Sequence, residues 1–294
     1  MYFGSVKFYK HLIYIVLTLF VSSSILGIAF GVKKIYNCVS KPQKNCVVNA
    51  EADEHTINHY PENHEFDYQK QYPNLYAQSQ RSVSEVKKGV CYLTFDDGPS
   101  KLTNEVLDIL DKNNIKATFF VVVNDNTDFD IIKKAIEKGH SIGIHSHTHK
   151  YDQIYVDVDS FLQDMNIAND LIYENTNYRA SIIRFPGGSI NSYNAGFYEE
   201  LISEMLRRNY HYFDWNVSFE DAGKNISADS IIKNVEKGLS IYPAESSRII
   251  VLAHDAQGKY SSIDALQCVI DAIKAQGFTF DVLDNTVPIM SFNY

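Results

Sequence analysis

Between residues 90 and 282 the chain alternates between short apolar runs and stretches of helical period, and five of the runs end in a polar motif. That alternation most constrains the fold. Parallel strands cannot be joined by tight turns, so strand and helix in turn imply a parallel sheet covered by its own crossover helices. Strands fit residues 90–95, 117–123, 141–144, 181–185, 210–213, 248–252 and 278–282. Helices fit the stretch opening at Thr103, the stretch capped by Asp128 and stopped by Gly139, and residues 160–174, 195–209, 227–239 and 261–276. Asp128 is a favoured N-cap residue, and Ser261 with Asp264 has capping-box spacing. The expected fold class is α/β, a distorted (β/α) barrel of about seven parallel strands; periodicity alone does not separate it from an open doubly wound sheet.

The rest of the chain differs in kind. Residues 12–32 carry no charge, with Lys7 and Lys10 before them and Lys33 and Lys34 after. About 20 apolar residues span a bilayer as a helix, and a cleaved signal peptide has a shorter apolar core. The expected organisation is a cytoplasmic tail and transmembrane signal anchor over 1–35, a polar stalk over 36–86, and a catalytic domain over 87–294. The stalk is rich in Asn, Gln, Tyr and Ser without apolar period, so His55, His59 and His64 read as solvated linker residues. Cys38 and Cys46 are compatible with a bridge, free thiols or lipidated thiols, whereas Cys91 and Cys268 read as small buried hydrophobes. A net charge of −9 excludes a nucleic-acid partner, because phosphate binding needs a basic surface.

The five motifs carry the chemistry. Thr94-Phe95-Asp96-Asp97-Gly98-Pro99 places two carboxylates at a strand end, and successive side chains on an extended segment point apart, so the two can take different tasks. His145-Ser146-His147-Thr148-His149 holds two histidines four apart, a spacing that on one helical turn aims both imidazoles the same way. With one carboxylate they form a three-ligand set that leaves a position open for water. His147 would point away from the metal, and His140 reads as a helix C-terminal histidine. Arg184-Phe185-Pro186-Gly187-Gly188-Ser189, Asp214-Trp215 through Asp221, and Leu252-Ala253-His254 complete the series.

In order and in kind these motifs resemble those of the polysaccharide deacetylase family, the NodB-homology or carbohydrate esterase 4 group, over about residues 89–282. The resemblance implies a divalent metal, zinc first and cobalt second, held by Asp97, His145 and His149. It implies Asp96 as general base, His254 as general acid and Arg184 as the group that orients Asp96, with Asp221 anchoring Arg184. The Gly187 N–H would stabilise the oxyanion, while Leu252 and Trp215 would line the acetyl pocket. Asp214 receives no role. Two departures fall on the groove walls: Gly187 stands where the family often has an aromatic, and Ala222 follows Asp221 where it often has Trp. The implied enzyme is a membrane-anchored, metal-dependent hydrolase with its catalytic domain outside the cell. It would remove N-acetyl groups from N-acetylglucosamine residues of a polysaccharide, peptidoglycan first. Chitin-type oligomers, poly-N-acetylglucosamine and O-acetyl-xylan are the alternative substrates, and a non-catalytic wall-binding module is the rival class.

Overall fold

A computed structural model describes residues 66–78, 84–223 and 226–292. The expected anchor over 12–32, Cys38, Cys46 and the three linker histidines lie outside these residues. Among the described residues no helix is long and apolar enough to cross a membrane.

The strands are β1 (Val90–Asp96), β2 (Thr118–Val122), β3 (Ser141–Ser146), β4 (Ile182–Ile183), β5 (His211–Tyr212), β6 (Val217–Ser218), β7 (Ile249–His254) and β8 (Thr279–Asp281). The helices are α1 (Lys101–Lys112), α2 (Phe129–Glu137), α3 (Tyr151–Ile154), α4 (Val158–Thr176), α5 (Tyr198–Arg207), α6 (Ala228–Ile241) and α7 (Tyr260–Ala275). Seven strands lie in the order β5-β4-β3-β2-β1-β7-β6, all pairs parallel, and curl into a half-barrel. The segment over 278–282 is not part of that path: β8 pairs with the start of β1, from Val90 to Tyr92. The missing seventh place belongs to β6, a pair of residues too short to show a period. Among the described residues, strand pairing does not close the curl between β5 and β6. The C-terminal strap covers that seam instead, through a bridge from Phe213 to Met290 and bonds from Arg248 to the carbonyls of Pro288 and Ile289.

Period-two alternation explains which side chains reach the concave face. Cys91, Leu93 and Phe95 pack outward into the large core beneath the helices, whereas Val90, Tyr92, Phe120, Ile182 and Ile250 form a second, inner cluster. Continuing each strand by twos from that inner cluster gives Asp96, Arg184, Leu252 and His254. On β3 the outward residues are Ile142 and Ile144, which leaves Gly143 and His145 inside. Gly143 must lack a side chain, since a Cβ there would sit 2.4 Å from the Phe120 ring.

Caps fix the helices onto this sheet. Ser100 caps α1 and accepts from Leu102 N–H, while Thr103 Oγ1 accepts the Ser100 N–H in return, so the helix starts before Thr103. Asp128 caps α2 as expected. The capping box expected at Ser261 and Asp264 is absent: α7 begins at Tyr260 behind Lys259, which makes no side-chain cap. Cys91 is buried, but Cys268 is exposed, because it lies on the face of α7 away from Leu266, Val269 and Ile270.

Part of the stretch read as stalk is folded onto the domain. Residues 66–77 lie along α4 and α5, with Leu75 fully buried. Arg208, also fully buried, donates to the carbonyls of Tyr68, Gln71, Tyr72 and Leu75 and to Glu204. Polar composition hides this segment, because its attachment is made mainly by backbone carbonyls.

Candidate active site

Parallel register sets the strand ends in one row. Asp96 is the partner of Phe120 on β2 and of His254 on β7, and Arg184 N–H donates to Ile144 O beside His145. Residues up to 158 positions apart (254 − 96) thus meet at one edge.

Asp96 is buried and accepts from Arg184 Nη1 at 2.8 Å. Arg184 is wholly buried; it also donates to Phe213 O and Thr94 Oγ1, each at 2.7 Å, and lies 4.3 Å over the Phe120 ring. Its position is therefore fixed from three sides, and it fixes Asp96 in turn. A buried arginine of this kind is held by its fork of donors rather than by charge alone.

Asp97 follows with φ +71°, a left-handed turn that swings its carboxylate away from Asp96 and toward the histidines. Gly98 is required next to it, because a Cβ would stand 2.4 Å from the buried Asp255 carboxylate. His145 Nε2 and His149 Nε2 lie 3.4 and 3.2 Å from Asp97 Oδ1, an oxygen that is buried and makes no hydrogen bond. The two rings are 5.0 Å apart. His145 is the last but one residue of β3, and His149 sits in a turn with φ +53°, so their convergence does not come from a shared helical turn. The helix, α3, begins only at Tyr151.

That turn is built by a residue the motifs do not include. Asp164 of α4 accepts from Ser146 Oγ, His147 N, Thr148 N and Thr148 Oγ1 at 2.6–2.9 Å. Ser146 Oγ then accepts the His149 N–H at 2.8 Å. The available signal was an acid among Phe161, Leu162, Met165 and Ala168 on the buried face of a helix. His147 bonds Val123 O and takes no place in the cluster, as expected. His140 is buried, with Nδ1 accepting from Ala117 N.

His254 and Asp221 form a pair. His254 Nδ1 lies 2.7 Å from Asp221 Oδ1, and Asp221 Oδ2 also accepts from His254 N and Ser262 Oγ. Asp221 therefore anchors His254, not Arg184; spacing in sequence does not say which carboxylate faces which cation. Asp214, given no role by the sequence, secures Ser189 through its N–H and hydroxyl, and Phe292 through its N–H. Trp215 packs edge-on against Phe292, with the Arg184 guanidinium 5.6 Å from its ring. Leu252 is buried on β7 two residues before His254. Gly187 has φ +78°, and its N–H has no acceptor among the described residues.

The charges follow from this packing. Burial opposes ionisation of Asp97, but His145, His149 and His254 together hold it well below the usual carboxylate range. Burial also opposes a proton on His145, yet Asp96 and Asp97 outweigh it and raise the imidazole. His149 is lowered, by burial and then by the His145 charge. His254 is raised, because the Asp221 bond and the Asp96 and Asp97 charges overcome its burial.

Asp97, His145 and His149 fit a divalent cation. Their ligand atoms all lie within 4.8 Å of one another, and Asp97 Oδ1 is an orphaned buried acceptor. His145 Nδ1 faces Arg184 O at 2.8 Å, which places the proton on Nδ1 and leaves the Nε2 lone pair for a metal.

Known proteins are similar to this chain in sequence and fold. A family model for polysaccharide deacetylases matches residues 83–204. YheN of Bacillus subtilis, provisionally named a polysaccharide deacetylase, is 30% identical over 220 residues, covering 74% of this chain and 75% of that one. The chain belongs to the polysaccharide deacetylase family. It is accordingly a hydrolase, with the catalytic fold of that group. A peptidoglycan-N-acetylglucosamine deacetylase of Bacillus cereus is 27% identical over 197 residues, 66% of this chain and 69% of the relative. The crystal structure of the catalytic domain of peptidoglycan N-acetylglucosamine deacetylase from Eubacterium rectale superposes with a TM-score of 0.66 at 38% identity. It covers 73% of this chain and 97% of that domain.

Proposed function

We propose that this deacetylase removes acetyl groups from the N-acetylglucosamine residues of peptidoglycan. The observation that carries the reading is the pairing of Asp96 with His254 across β1 and β7, each with its own buried partner and each within 4.0 Å of a member of the ligand set. Amide hydrolysis needs one proton removed from water and one delivered to a poor amine leaving group. Two groups held apart in role by different partners do this in sequence. Asp97, His145 and His149 would hold zinc, since two imidazoles and a carboxylate suit that borderline ion. Bound there, the ion supplies Lewis acidity to the acyl oxygen and to the attacking water.

The chain's own residues do the rest. Asp96, oriented by Arg184, accepts the proton of the attacking water. The free Gly187 N–H donates to the acyl oxygen as negative charge gathers on it. His254, fixed through Nδ1 by Asp221, gives its Nε2 proton to the departing amine. Nε2 faces the cluster, 4.0 Å from Asp97 Oδ2. Leu252 and Trp215 would enclose the acetyl methyl.

Support for the polymer comes from relatives named for peptidoglycan. The apolar run over 12–32 supports a membrane tether. The outer side, within reach of the wall, follows from the proposed substrate, since two lysines flank the run at each end and favour neither orientation. Acetate release by the purified protein on peptidoglycan, N-acetylglucosamine oligomers and acetyl-xylan, side by side, tests the substrate. Faster release from either of the other two would replace peptidoglycan. External protease on intact cells tests the location: a protected catalytic domain would overturn its placement on the outer side of the membrane.

A further inference from the structure

Three tyrosines gather between the His149 turn and the Gly187 loop, and their hydroxyls are treated differently. Tyr155 is buried and donates to Pro186 O at 2.8 Å, which is the ordinary fate of a buried phenol. Tyr151 is half-buried, Tyr193 is 55% exposed, and neither hydroxyl has a hydrogen-bond partner among the described residues. The Tyr151 ring stands edge-on to the His149 ring at 5.4 Å and 5.2 Å from the Tyr193 ring. On its other side it rests on Gly187: a Cβ added there would lie 2.8 Å from Tyr151 Cε1 and 3.0 Å from its hydroxyl oxygen.

Tyr151 thus occupies the space that a side chain at 187 would need. It lies between a candidate metal ligand and the N–H proposed to receive the oxyanion. No packing or hydrogen-bonding demand of the fold accounts for its hydroxyl, and Tyr193 extends the same surface outward. An aromatic face of this kind takes the C–H face of a pyranose ring, while an unpaired phenol meets a sugar hydroxyl or acyl oxygen.

We infer that Tyr151 is a substrate-contacting, specificity-determining residue, forming with Tyr193 an aromatic wall for the pyranose ring that bears the acetyl group. This rests on the proposed deacetylation of a glycan. The wall comes from the residues after the histidine motif, and Gly187 is small so that it can stand there.

The test compares the full-length wild type with Tyr151→Phe, Tyr151→Ala and Tyr193→Ala. Two zinc-loaded reactions are followed: acetate release from a β-1,4-linked N-acetylglucosamine tetramer, and hydrolysis of phenyl acetate, which carries no sugar. Metal bound per chain is measured for each variant. Loss of one aromatic contact of about 0.5–1.5 kcal/mol corresponds to about 2- to 12-fold. Tyr151→Ala, losing wall and hydroxyl, should therefore weaken kcat/KM on the tetramer about tenfold more than on phenyl acetate, chiefly through KM. Tyr151→Phe and Tyr193→Ala should fall between, with metal content equal to wild type.

Equal loss on both substrates, or loss of metal, would overturn the inference and make Tyr151 a prop for His149. An unchanged tetramer KM in Tyr151→Ala would overturn it too. Failure of the substrate reading shows in the wild type alone: hydrolysis of phenyl acetate without action on either the tetramer or peptidoglycan removes the pyranose ligand, whatever the variants do. A wild type that acts on peptidoglycan alone has its variants compared on peptidoglycan.

Discussion

Replacing Asp221 by Asn tests the reassignment of that carboxylate from Arg184 to His254. The exchange nearly preserves shape and removes one charge from a buried pair whose contact is 2.7 Å. A hydrogen bond to a charged group contributes about 1.5–3 kcal/mol and a neutral one about 0.5–1.5 kcal/mol. If the amide oxygen keeps the contact, Asp221→Asn raises the barrier by about 1–1.5 kcal/mol, a rate loss of about 5- to 12-fold. Asp221→Ala removes the whole bond, and the loss grows to about 10- to 150-fold. The pH profile gives a sharper sign. His254 must carry its proton to act as acid, and Asp221 is the leading influence that raises it against burial. Without that charge the proton leaves sooner, so activity should fall off at lower pH than in wild type. The low-pH limb, which belongs to the base, should stay in place. Acetate release across pH, with metal content measured alongside, reads all three effects. Variants within twofold of wild type, with an unmoved high-pH limb, would refute the pairing of Asp221 with catalysis. Loss of metal would assign it to the ligand cluster instead.

Asp96→Asn should keep the metal and lose about 10² to 10⁴ in turnover, as removal of a general base does; near-normal turnover would show that Asp96 is not that base. His145→Ala with His149→Ala should abolish zinc binding measured by competition with a chelator, because one carboxylate cannot hold the ion alone. Zinc and protons compete for His145, whose imidazole is raised. Titration should therefore show proton release on zinc uptake, with affinity climbing as pH rises until that proton is gone. A chain trimmed to begin at Ser84 should melt below one beginning at Asn63. Losing the burial that Leu75 contributes costs about 1.5–3 kcal/mol, or about 3–12 °C for a domain of this size; equal melting points would show that residues 66–77 add nothing to the fold.

Much of this is legible in the sequence. Strand–helix alternation gave the parallel sheet, and the motifs fell at the ends of β1, β3 and β7 because loops there converge on one edge. Asp96, Asp97, His145, His149, Arg184 and His254 do meet. What spacing could not supply was pairing across space. Asp221 could have faced either cation, and Asp164 belongs to a helix whose surroundings are apolar. The i, i+4 histidines illustrate the limit: the convergence was right and its cause was not, because a left-handed turn achieves what a helical turn would have done. β6 and α3 are too short to carry a period, and the 66–77 segment binds through carbonyls that every sequence has.

Arg208 has a mechanical meaning as well. A pull transmitted along the chain from residue 65 meets the domain first at the segment that Arg208 holds by four carbonyls, and passes through Glu204 into α5. β1, with Asp96 and Asp97 at its tip, lies off that path. A domain dragged by its N terminus against a stiff polymer would bear the tension at its flank, while the catalytic row stays slack.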